Sequence, residues 1–227
     1  MSRPLPDGPA PSPLTDRFGR VHTDLRVSLT DRCNLRCTYC MPAEGLDWLP
    51  RPELLTDDEV VRLVDVATRR LGITEVRLTG GEPLLRRGLP GLVARLHALP
   101  DAPELSLTTN GIGLARSAAA LRDAGLSRVN VSLDTLRPER FTAITRRDRL
   151  ADVLDGLRVA RAAGLAPVKI NTVPVRGVNG RRDRRTRRVR RRTRLPGTVH
   201  RVDAPGRAGR LGPGPDGHLR GDPRPHR

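Results

Sequence analysis

From residue 21 to residue 175 the sequence changes its period repeatedly. Short runs with apolar residues at every second position give way to longer runs with apolar residues three and four apart. Period two marks a strand with two unlike faces, and three-four spacing marks a helix with one apolar stripe. The spacing predicts strands over 21–29, 75–79, 105–109, 128–133 and 168–173. Between the first two, Val60, Leu63, Val64, Ala67 and Leu71 share a helical face. That helix opens on Thr56-Asp57-Asp58-Glu59, the form of a capping box, and stops at Gly72. Further stripes run through Leu89, Leu92, Val93 and Leu96, through Leu114, Ala118 and Leu121, and through Leu150, Val153, Leu154 and Leu157. Such alternation implies parallel strands joined by right-handed crossovers. Aromatic residues make up only 2% of the chain, so the core must be built from Leu, Val, Ile and Ala.

The two faces of each strand separate an incomplete barrel from an open sheet. One face carries Leu25, Val27 and Leu29, Val76 and Leu78, Leu105 and Leu107, Val129, Val131 and Leu133, Val168 and Ile170. The other carries Arg26 and Ser28, Arg77 and Thr79, Ser106 and Thr108, Asn130 and Ser132, Lys169 and Asn171. A doubly wound sheet buries both faces and needs both apolar. A curved, partly closed barrel with a polar interior satisfies both sets. The alternative is a sheet with one face open to water, in which Arg77 and Lys169 would be freely exposed.

Cys33, Cys37 and Cys40 form C-x3-C-x2-C just after the first strand, where α/β barrels keep their chemistry. An odd number of cysteines within eight residues is a poor disulfide framework and reads as metal ligation. Three thiolates can hold three irons of a cubane cluster and leave the fourth open, whereas most clusters take four cysteines. The alternative is a zinc site with His22 as fourth ligand. Gly80-Gly81-Glu82-Pro83 follows the second strand. Its glycines allow a ligand to approach the backbone closely, and Glu82 offers a carboxylate suited to an ammonium group.

Six stretches in order then resemble one family: Thr30-Asp31-Arg32-Cys33, Cys40-Met41-Pro42, Leu78-Thr79-Gly80-Gly81-Glu82-Pro83-Leu84, Leu107-Thr108-Thr109-Asn110-Gly111, Val129-Asn130-Val131-Ser132-Leu133-Asp134 and Val168-Lys169-Ile170-Asn171-Thr172-Val173. The chain resembles the GTP 3′,8-cyclases of molybdenum cofactor biosynthesis, which are radical S-adenosylmethionine (SAM) enzymes, from about Gly19 to Asn179. The resemblance implies a partial (β/α) barrel. Cys33, Cys37 and Cys40 would ligate a [4Fe–4S] cluster, and Tyr39 through its carbonyl, Gly81, Glu82 and Ser132 would contact SAM. Arg26, Arg77, Thr108 and Lys169 would contact GTP. Three cations around one cavity suit a triphosphate, and Lys169 is the only lysine in the chain. The partners implied are GTP and an electron donor for the cluster. A homodimer is left open, and no nucleic acid or membrane is expected. Another radical SAM enzyme, such as a peptide-modifying one, is the alternative within the class.

Residues 1–17 are rich in proline and polar residues and read as a flexible arm, ahead of a core over 18–179. No basic-then-apolar leader precedes them, so a cytoplasmic protein is expected. The chain carries +17, of which +12 falls in residues 181–227, with 16 Arg and 4 Asp and no Lys or Glu. Residues 180–227 read as a disordered Arg/Gly/Pro-rich tail, the composition that GC-rich coding DNA yields out of frame. Binding of nucleic acid is the competing reading of that charge. The family's second three-cysteine motif does not occur in the 227 residues, so impaired cyclisation is expected.

Overall fold

The computed structural model describes residues 12–175, 178 and 179, and the backbone of 197–199. It begins with a small antiparallel pair, β1 (Leu14–Thr15) and β2 (Val21–His22). This corrects the expectation of a flexible arm over its last residues, 12–17. Asp16 makes the difference, because its Oδ1 accepts from the backbone N–H groups of Phe18 and Arg20 and closes the turn. The rest of the arm, residues 1–11, lies outside the described residues. The first strand, expected to be continuous over 21–29, is divided at Thr23. The carbonyl of Thr23 accepts from Thr74 and Glu75, which moves the chain from the hairpin into the main sheet.

That sheet is parallel, with its strands side by side in chain order. They are β3 (Asp24–Ser28), β4 (Glu75–Thr79), β5 (Glu104–Thr109), β6 (Arg128–Ser132), β7 (Lys169–Thr172) and β8 (Gly197–Val199). The crossovers carry α1 (Asp57–Leu71), α2 (Leu89–His97), α3 (Leu114–Asp123), and the pair α4 (Pro138–Thr145) and α5 (Leu150–Ala162). Sequential parallel order is the topology of a partial (β/α) barrel. Among the described residues β3 and β8 are the two edges and are not paired with each other. The strand β8 falls within the stretch expected to be a disordered tail. Its backbone pairs with β7, from Ile170 opposite Gly197 to Thr172 opposite Val199. The rest of that expectation lies outside the described residues.

Local signals account for most of these elements. The capping box of α1 is formed in both directions between Thr56 and Glu59. One face of the sheet packs Val76, Leu78, Leu105, Leu107, Val129 and Val131 against Val64, Leu92, Leu96, Leu114, Leu121 and Val153 of the helices, all fully buried. The helix α4 was not expected. Its apolar positions are few, but Pro138 in the first turn and Phe141 and Ile144 on one face suffice to start and bury it.

The polar face is ordered in rows across the strands. Asp24, Glu75 and Glu104 stand level, followed on the same face by Arg26, Arg77, Ser106 and Arg128, and then by Thr108, Asn130 and Lys169. The first two rows neutralise each other: Arg128 bonds Glu75 at 2.7 Å and also Glu104, and Arg77 lies 3.7 Å from Asp24. Ser106 is 2% exposed, Asn130 5% and the Arg77 side chain 27%, and Lys169 is half-buried. Arg77 and Lys169 are thus not freely exposed, and the centre of the face is enclosed, while Asp24, Arg26 and Ser28 on the edge strand β3 remain exposed.

The hydrogen bond from Arg128 is the main reason the pKa of Glu75 lies below the usual glutamate range. A depressed carboxyl pKa stabilises the folded state above the unfolded value, about 4.3, and that contribution is lost as pH falls through the folded value. Replacing Arg128 with Met should lower the unfolding free energy by about 1–3 kcal/mol at neutral pH. The difference between the wild type and R128M should shrink below about pH 4. Denaturant unfolding of both proteins across the acid range checks this; a difference constant with pH would place the stabilisation elsewhere.

Candidate functional site

The loop that carries the cysteines leaves β3 and returns to α1, crossing the C-terminal ends of the strands. Its entry is fixed by backbone contacts to the turn after β4. Gly81 N donates to Thr30 O at 2.6 Å, and Glu82 N donates to Arg32 O at 2.7 Å. This approach is too close for side chains. A Cβ on Gly80 would meet Thr30 O at 2.4 Å, and one on Gly81 would meet the carbonyls of Asp31 and Arg32 at 2.3 Å. The two glycines, read from sequence as room for a ligand, serve first as room for the cysteine loop. Arg86 adds a second tie, donating to Leu29 O and Leu55 O while pairing with Asp57. The end of α4 supplies a third: Thr145 O and Ile144 O accept from Arg36 N and Thr38 N.

These ties gather Cys33, Cys37 and Cys40, all free, on one cavity of about 250 Å³. Gly81, Thr108 and Ser132 line the same cavity, as does Tyr39, with Phe141 and Ile144 as its apolar wall. Thus seven of the eleven residues singled out from sequence come together at the mouth of the barrel. Four do not line it. Arg26 and Arg77 belong to the lower ionic rows, and Lys169 stands level with Thr108 and Asn130. Glu82 is fully buried behind the cavity. Its carboxylate accepts from Thr109 Oγ1, from Asn110 N and from Leu84 N, the last at 3.0 Å. Burial raises its pKa while those donors pull the other way. These bonds join the turn after β4 to the end of β5, with two donors on Oε1 and one on Oε2.

The thiols sit in a place that resists their ionisation. Burial pushes Cys33 up, and burial together with Cys40, Asp134 and Cys33 pushes Cys37 up to about 12. A cation bound among them would reverse that balance, with release of protons. Two donors already point at one sulfur: Leu35 N lies 3.5 Å and Asn110 Nδ2 3.8 Å from Cys33 Sγ. Hydrogen bonds to sulfur are what tune an iron–sulfur centre, so the donor set fits a cluster. It does not fit a single zinc ion. Among the described residues no three His, Cys, Asp or Glu side chains converge on one ion. His22 faces Asp16 in the β2 hairpin, at 3.5 Å. In a cubane each thiolate takes its own iron, so convergence on one point is not required.

Two residues of the site were not singled out from sequence as contacts. Asn110 bridges Cys33 and Asn34, bonding Asn34 Oδ1 at 2.7 Å. Asp134 accepts from the Tyr39 hydroxyl at 2.6 Å and from Val173 N at 2.8 Å. Burial raises the pKa of Asp134, and burial with the adjoining carboxylate raises that of Tyr39. Tyr39 was read as acting through its carbonyl; its hydroxyl in addition bonds Asp134, another residue of the cavity lining. The signal for Asn110 and Asp134 was parity: each extends by two residues the polar face of Ser106 and Thr108 or of Asn130 and Ser132.

Comparison with known proteins bears on the same region. Residues 27–188 match the model of the Radical SAM superfamily. The chain is 69% identical over 166 residues to the GTP 3′,8-cyclase of Streptomyces coelicolor, covering 73% of this chain and 49% of that protein. It is 67% identical over 167 residues to the GTP 3′,8-cyclase of Mycobacterium marinum, covering 74% and 46%. The chain thus spans about half the length of the curated relatives it matches. In fold it is similar to Streptococcus suis SuiB, with a TM-score of 0.61 and 16% identity over 80% of this chain and 40% of that one. It is also similar to anSMEcpe with bound AdoMet, with a TM-score of 0.58 and 18% identity over 80% and 51%. With the family model matching more than half of its length, and with its three cysteines gathered at the mouth of a partial barrel, the chain belongs to the Radical SAM superfamily.

Proposed function

We propose that the chain is the SAM-cleaving portion of a GTP 3′,8-cyclase, acting in molybdenum cofactor biosynthesis. The observation that carries this is the single cavity shared by three free thiols, Gly81, Thr108 and Ser132. Cys33, Cys37 and Cys40 would hold a [4Fe–4S] cluster. When bound, that cluster supplies one electron to SAM, whose reductive cleavage starts the reaction. Asn110 and the Leu35 amide orient Cys33 by donating toward its sulfur. Gly81 and Ser132, which line the same cavity as the cysteines, would receive the amino-acid end of SAM. Phe141 and Ile144 exclude water from the apolar side.

The substrate reading rests on the likeness to the cyclases and on the polar rows of the interior. Thr108 lines the cavity, and Lys169 stands in its row, one step nearer the mouth than Arg26 and Arg77. Arg77 already shares the carboxylate of Asp24. Lys169 is therefore the cation best suited to meet a polyphosphate beside SAM, with Arg26 and Arg77 below it. An external electron donor is required. No helix of the described residues is long and apolar enough to cross a membrane. The activity proposed for this stretch is binding and cleavage of SAM.

Anaerobic reconstitution with iron and sulfide should load about four irons per chain. With dithionite and SAM, 5′-deoxyadenosine should then accumulate. Alanine at Cys33, Cys37 or Cys40 should abolish both. A chain that retains no iron, or that loads iron without cleaving SAM, would overturn the reading. Replacing Lys169 with Ala should weaken GTP binding about tenfold, as loss of a charge-assisted contact does. Equilibrium binding of labelled GTP checks this, and unchanged affinity would remove Lys169 from the substrate site.

A further inference from the structure

We infer that Tyr39 and Asp134 form a latch that holds the turn between Cys37 and Cys40 across the mouth of the barrel. Asp134 is then a positioning residue for those two cysteines. In its bearing on the cluster the inference rests on the function proposed above.

The turn is held internally by two bonds, from Cys40 N and Met41 N to Cys37 O at 2.9 and 3.1 Å. Cys33 has its own support from Asn110 and Leu35, and the backbone of Arg36 and Thr38 is tied to the end of α4. Past Thr38 the turn reaches outward, and Cys40 is exposed. There the Tyr39 hydroxyl crosses to Asp134 Oδ2 at 2.6 Å, bridging 95 residues of sequence. Asp134 is itself fixed at three points. Its Oδ1 accepts from Val173 N at the end of β7, its carbonyl accepts from Asn179 Nδ2 at 3.1 Å, and it lies two residues past the end of β6. One carboxylate thus joins β6, β7 and the cysteine turn. A phenol donating to a carboxylate at this distance makes a charge-assisted bond, stronger and more directional than a neutral one. Both oxygens of Asp134 are engaged, which suits holding a neighbour in place rather than meeting a substrate. Outer partners that orient metal ligands act in this way, and losing one weakens metal retention.

The test uses the full chain and Tyr39→Phe, which keeps the ring and removes only the hydroxyl. In the metal-free proteins, amide exchange of Cys40 and Met41 should speed up about tenfold in Y39F. Amides of the core strands, such as Val76 and Leu107, should exchange as in the wild type. After reconstitution with iron and sulfide, Y39F should lose iron to a chelator about tenfold faster or more. Asp134→Ala should speed exchange at Cys40 and Met41 as well, and adding it to Y39F should change those two amides little further, because both variants cut the same bond. Unchanged exchange and unchanged iron loss in Y39F would overturn the latch. Faster exchange everywhere would also overturn it, since that is general destabilisation. If the wild type itself takes up no iron, the proposed function fails, and the exchange data alone decide whether the latch exists.

Discussion

The site depends on a contact between two stretches of backbone. Thr30 O and Arg32 O receive the amides of Gly81 and Glu82 at 2.6 and 2.7 Å, so the start of the cysteine loop lies directly on the turn after β4. No residue with a Cβ fits at either glycine without moving the loop. Everything nearer the cavity inherits its position from this contact. Cys33 follows one residue after Arg32, and the donors aimed at its sulfur come from the loop itself and from Asn110 at the end of β5. Asn110 is in turn held by Glu82, whose carboxylate receives the Asn110 amide at 2.7 Å. The turn after β4 therefore supports the first cysteine twice: through its backbone directly, and through Glu82 and Asn110 from behind.

Charge is sorted along the axis of the half-barrel, and the sorting follows from the alternation of the strands. At the N-terminal end, carboxylates on β3, β4 and β5 face arginines one row further on; Arg128 hydrogen-bonds Glu75 and Glu104, and Arg77 pairs with Asp24 at 3.7 Å. At the mouth, the groups that can ionise are three thiols, Tyr39 and Asp134, and several of them hinder one another from carrying negative charge. No arginine or lysine lines that cavity. A cationic metal centre is the group that such a set can accept without a further partner. The same segregation keeps the interior cations away from the sulfurs and leaves Lys169 in the row between the two zones.

Much of this was legible in the sequence, for a physical reason that also explains the omissions. Strand periods, the Thr56–Glu59 box and the polar and apolar faces are set by neighbours a few residues apart, and they appear where they were expected. Roles that depend on where a side chain ends after folding were less legible. Glu82 looked like a ligand because a carboxylate follows two glycines, and that pattern did not show its bonds to the end of β5. The helix α4 presents too short a stripe to stand out, yet its last carbonyls hold the loop between Cys33 and Cys37. Residue type suggested Glu82, while strand parity points in addition to Asn110 and Asp134, which line the cavity.

Each tie on the cysteine loop described above is made by residues between Leu29 and Val173, with Asn179 supporting Asp134 from behind. The β-turn after β4, Arg86, the end of α4 and the ends of β5, β6 and β7 each take one part of it. None of these contacts draws on closure of the barrel, because β3 and its neighbours are already fixed by β4 and the helices on the apolar face. The cavity for the cluster is thus built by local crossovers, one βα unit after another. A chain that spans half the length of its relatives can hold this site together for the same reason that its sequence could be read: both depend on short-range order along the strands.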